Sequence, residues 1–153
     1  EYEEVEARAA AAEADGSIGR ALSLASTDAT EAREMAQHLL EQAARMNDPA
    51  RLFEAAREVT PSGGGKTSGA ERERLTGCLR ALASLLRDIG LITAQGDAAV
   101  LANADLAPRL RVVAKTFDSD RTVRAYAAVN EALDAIEGNV GPKIVADWLV
   151  LQL

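Results

Sequence analysis

The stretch "ERERLTGCLRALASLLRDIGLIT" (71–93) decides the fold class. Leu75, Cys78, Leu79, Leu82, Leu85, Leu86, Ile89 and Ile92 recur at spacings of three and four. That period gathers side chains on one face of an α-helix, so a helix over about 70–94 with one buried face is expected. Gly77 and Gly90 interrupt it, and each implies a close helix contact or a local bend. Cys78 falls within the apolar stripe and reads as a small buried residue, not a reactive thiol. As the only cysteine it permits no intrachain disulfide.

The same period extends in both directions. Residues 2–14 are rich in Glu and Ala and read as a helix, and Ser17 is placed to cap a short one from Ile18 to about Leu24. Asp28 and Glu31 have capping-box spacing ahead of a helix over about 29–46, whose stripe is Met35, Leu39, Ala43 and Met46. Asp48-Pro49 restarts a helix that ends at Thr60-Pro61. Downstream, "AQGD" makes a turn near 94–97, and "NADLAPRLRVVAKTF" (103–117) reads as one or two short helices. Asp118 or Ser119 opens a helix expected to turn Val123, Ala127, Val129, Leu133 and Ile136 inward. After "EGNVGP", Gly141-Pro142 begins a last helix with Ile144, Val145, Trp148, Leu149 and Leu151 as its apolar side. With no repeat and no strand pattern, the chain reads as all-α, a compact helical bundle.

Composition agrees with that architecture and narrows the function. The chain has 153 residues, 48% of them hydrophobic but only 3% aromatic. Its core must therefore be built from Leu, Ala, Val and Ile, which suits closely packed helices. Seventeen basic and 24 acidic side chains give a net charge of −7, which disfavours nonspecific nucleic-acid binding by the whole surface. No apolar run is long enough to cross a membrane, and no leader pattern is present, so no membrane partner is expected. A start at Glu1, entering a helical pattern almost at once, reads as a piece of a longer polypeptide.

"PSGGGKTSG" (61–69) ends like a phosphate-binding loop, but its context is wrong. The pattern G-x-x-x-x-G-K-[ST] needs a glycine at the position held by Thr60, and a β-strand before it. Upstream, Leu52, Phe53, Ala56 and Val59 have helical spacing instead. The stretch is read as a flexible Gly/Ser-rich linker, and ATP binding there is excluded.

Four blocks carry a further signal. "LLRDIGLITAQGD" (85–97), "LANADLAPRL" (101–110) and "VNEALDAIEGNVGPKIVADWLVLQL" (129–153) resemble the carboxyl-terminal region of the delta-prime subunit family of the bacterial DNA polymerase III clamp loader. That family shows "LLRDLLLL", an "NPDL"-like turn and a closing "AIERNANPKLVLEWLLLKL". Near the start, "DGSIGRALSLA" (15–25) resembles the family's lid segment "GSPGRALAL". Departures fall at Ile18 and Ala104, where the family has proline, and at Gly141, where it has asparagine. The stretch 45–75 does not align, and the related gamma or tau subunit has a collar of the same design.

The resemblance implies that 1–26 end an ATPase lid of the AAA+ type and that 27–153 form a helical collar interrupted by the 61–69 linker. Such a collar holds its subunit in a pentameric ring that supports loading of a sliding clamp onto primed DNA. Its partners would be the gamma/tau and delta subunits, with clamp and DNA met only through the full assembly, in the bacterial cytoplasm. The complete subunit would belong to a DNA-directed DNA polymerase, a nucleotidyltransferase, but the stretch itself carries no complete catalytic site. ATP and zinc would enter only through a missing core or neighbouring subunits, since one cysteine cannot supply a four-cysteine zinc site. Arg20 matches the sensor-2 position, where active relatives hold a guanidinium near the terminal phosphate, and a surface or interdomain salt bridge is the other reading.

Ile144, Val145, Trp148, Leu149 and Leu151 exceed what a one-sided helix needs and are the candidate interface. A central helix enclosed by its own domain would use the same residues. His38 has no nucleophile or orienting acid in its pattern and is read as an ordinary helical residue. Glu3-Glu4, and Glu71 with Glu73, read as solvated faces. Arg109, Arg111 and Lys115 cluster, but three charges in an acidic chain are weak grounds for DNA contact. An independent helical binding protein remains the alternative from another class.

Overall fold

In a computed structural model of the chain, the described residues are 27–45, 54, 57, 69–97 and 100–153. Among the described residues the elements with full bounds are α1 (Thr27–Arg45), α2 (Gly69–Thr93), the 3₁₀ turn Ala104–Leu106, α3 (Ala107–Val113), α4 (Ser119–Glu137) and α5 (Pro142–Val150). No strand occurs among the described residues. The lid assigned to 1–26 and 61–68 of the linker lie outside the described residues, and of the helix expected over 49–60 only Glu54 and Arg57 are described, both helical and exposed. Gly69, placed at the linker's end by its composition, is instead the first residue of α2.

The central element is α2, 25 residues long and so about 37 Å at 1.5 Å per residue. It buries Leu75, Cys78, Leu79, Leu82, Leu85, Leu86 and Ile89, while Ile92 is only half-buried. The helix runs unbroken through both glycines, and only Gly77 marks a close approach, Gly90 having room for an ordinary contact. A Cβ on Gly77 would lie 3.3 Å from the Ala32 Cβ of α1, and one on Gly90 would lie 3.8 Å from Thr122 Cγ2 of α4.

Contacts between the helices set their directions. Arg74 of α2 meets Glu31 near the start of α1, and Gly77 meets Ala32. At the other end Ala43 of α1 is bonded to Arg121 of α4, beside the Thr122 that touches Gly90. The two helices therefore run parallel. On the opposite flank Arg72 donates to the Ile136 carbonyl, while Gly90 meets Thr122. Hence α4 runs antiparallel to α2, and α5 turns back along α4.

Small residues set the face that α4 turns inward. Thr122, Ala125, Ala128, Val129, Ala132 and Ile136 are buried, whereas the expected Val123 is 68% exposed, Ala127 is exposed and Leu133 is half-buried. Of the expected inward residues Val129 and Ile136 are buried, but the rest of the inner face is made by alanines and Thr122, which allow a close helix approach. In α1 the expected Leu39 and Ala43 are buried, with Ala32, Ala36 and Leu40 beside them. Met35 is only partly buried, and Met46 lies outside the described residues.

Helix ends follow recognisable chemistry. Asp118 is the N-cap of α4, its carboxylate accepting from the Arg121 N–H at 2.7 Å. Pro142 occupies the first turn of α5, where a missing N–H costs no helical bond. Both α2 and α4 end in a Schellman arrangement. Gly96 N–H donates to the Leu91 carbonyl and Gln95 N–H to Ile92; Val140 N–H donates to Ala135 and Asn139 N–H to Ile136. The left-handed residues are Gln95 (φ 55°) and Asn139 (φ 64°), not the glycines beside them.

Candidate interaction surface

The last helix is short, but its apolar residues exceed what the interior takes up. Val145, Ala146, Leu149, Val150 and the following Leu153 are buried. Ile144 is 67% exposed and Leu151 57% exposed, with Trp148 half-buried between them. Positions 144, 148 and 151 are four and three residues apart, so they form one stripe on the outer side of α5. The single apolar side expected from the sequence thus divides. Val145 and Leu149 are interior packing and cannot meet a partner without unfolding; Ile144, Trp148 and Leu151 remain available. Lys143 and Asp147 bridge at 3.0 Å on the exposed side of the same helix.

Arg121 fixes the end of this helix. Its Nε donates to the Leu153 main-chain oxygen at 2.8 Å, Nη2 to the Ala43 carbonyl at 2.9 Å, and Nη1 to the Thr116 carbonyl at 3.3 Å. The guanidinium also lies 4.1 Å from the centre of the buried Phe117 ring. Burial lowers its pKa, and Arg124 adds to that while Asp118 opposes it. An arginine stays charged regardless, so the side chain holds α1, α4 and the tail of α5 together.

A second cluster lies where α2 meets the 3₁₀ turn. Asp88 is fully buried, and its carboxylate accepts from Ala102 N–H at 3.2 Å, Asn103 N–H at 2.7 Å and Asn103 Nδ2 at 2.9 Å. Asn103 Nδ2 also donates to Ser84 Oγ, and Asn103 Oδ1 accepts from Arg33 Nε at 3.0 Å. Arg33 then forms a two-pronged bond to Asp105, at 2.7 and 3.0 Å. These hydrogen bonds hold the Asp105 carboxyl below its ordinary value, helped by the Arg33 charge and opposed by burial. Sequence reading missed this cluster. A signal existed, because Asp88 falls on the buried phase of α2 between Leu85 and Ile92, where a carboxylate needs partners.

Other expected positions resolve into ordinary roles. Burial pushes the Cys78 thiol up to about 12, with Arg74 pulling the other way, which makes it a poor nucleophile. Arg74 bonds Glu31, while its Nε is buried without a hydrogen-bond partner among the described residues. His38 is exposed on α1, its ring 3.5 Å from Gln42 Nε2. Arg109 pairs loosely with Glu41 at 3.8 Å, and Arg111 and Lys115 are exposed. Glu73 is exposed and Glu71 half-buried. Arg20, the Gly65-Lys66-Thr67 sequence and the Glu3-Glu4 pair lie outside the described residues. Among the described residues no group of three or more His, Cys, Asp or Glu could hold a metal ion, and no helix is long and apolar enough to cross a membrane.

No protein-family model matches the chain, and neither does any curated protein or solved structure.

Proposed function

We propose that this chain is the end of the lid and the collar of a delta-prime-like clamp-loader subunit, and that its work is assembly. In this reading it holds the subunit in a five-membered helical ring beside gamma/tau and delta subunits. It supports sliding-clamp loading without contributing a catalytic site of its own. The observation that carries the reading is the Ile144–Trp148–Leu151 stripe, apolar surface that the bundle leaves outside its own core. A large aromatic flanked by aliphatic residues is the composition of an interface anchor.

Two of the four quoted blocks meet in the fold. Asp88, in the block over 85–97, is hydrogen-bonded to Asn103, in the block over 101–110. Motif letters that resemble the family therefore have a structural purpose: they hold the turn against the long helix.

Light scattering after size-exclusion chromatography tests the proposal, with the chain alone and mixed with gamma/tau and delta subunits of the same source. A defined hetero-oligomer is expected. Ile144→Asp with Leu151→Asp should abolish it, while stability stays within roughly 0.5 kcal/mol per site because both residues are exposed. A folded chain that joins neither subunit overturns the reading and leaves an independent helical binding module.

A further inference from the structure

We draw no further inference here: the strongest candidate, the Ile144–Trp148–Leu151 stripe on the outer side of α5, belongs to the surface already described, and nothing in the structure shows what else would cover it.

Discussion

The joint from α2 to α3 and the joint from α4 to α5 begin alike and are then secured by different means. Each helix ends in a Schellman arrangement around a non-glycine residue at positive φ. Beyond the cap, the first joint is tied by side chains: Asp88 grips Ala102 and Asn103, and Arg33 reaches from α1 to Asn103 and Asp105. The second has its backbone turn, a single side-chain tie from Arg72 to the Ile136 carbonyl, and Pro142, which restarts the helix at once. A side-chain lock fixes one geometry firmly but fails badly when a member is removed, since buried donors are left unpaired. A backbone turn tolerates substitution, and here it leads into the helix whose outer side stays uncovered.

Removing the lock should produce the largest effect. Asp88→Ala deprives two backbone N–H groups of their acceptor and the Asn103 side-chain amide of one of its two, in a fully buried site. A loss of about 3 kcal/mol is expected in urea unfolding, at the upper end for unsatisfied buried groups. Asp88→Asn should fall between wild type and Ala, because its amide retains one acceptor oxygen. Hydrogen exchange gives the local readout. Protection of the Ala102 and Asn103 amides should collapse, while that of Asn139 and Val140 should change only with global stability. A loss below about 1 kcal/mol for Asp88→Ala would remove the distinction between the two joints.

This difference also explains what the sequence could and could not reveal. Length and period placed α2 within a residue at each end, because large aliphatic side chains dominate its stripe. Asp118, Gly141 and Pro142 marked the boundaries of α4 and α5, because capping is local chemistry. The inward face of α4 is legible only at Val129 and Ile136, since Ala125 and Ala132 are fully buried but carry little hydrophobic signal. The Asp88 lock was hidden for another reason. A partner 15 residues away is brought to it only by folding, and no helical period encodes that meeting. The division of α5 into inner and outer residues depends likewise on where α4 and α2 lie.

The two caps can be compared directly by giving each the residue that suits positive φ. Gln95→Gly should stabilise by about 0.5–1 kcal/mol, because a long side chain is strained in the left-handed region. Asn139→Gly should gain only a few tenths, since asparagine already tolerates that conformation. Thermal unfolding of the two variants, with the double variant as a check on additivity, measures both. Equal gains would mean that Gln95 is no more strained at positive φ than Asn139. A loss at either position would show that the flexibility glycine adds to the unfolded chain outweighs the relief of strain.

Acid sensitivity should be a small effect, and it should belong to the first joint. Asp105 has its pKa depressed, chiefly by hydrogen bonds from Arg33. The charged form is thus favoured in the folded chain, and the unfolded chain binds the proton more readily. The contribution is present above the ordinary value of 3.8 and is lost as pH falls through the depressed folded value. Because both partners are partly exposed, the pair should contribute less than about 1 kcal/mol and weaken with added salt. The difference in stability between wild type and Asp105→Asn should therefore be measurable at pH 7 and shrink below pH 3.8. Asn139 at the second joint has no ionisable side chain, so the Asn139→Gly difference should stay constant across the same titration. A parallel decline in both differences would trace the acid effect to general destabilisation and not to the Arg33–Asp105 pair.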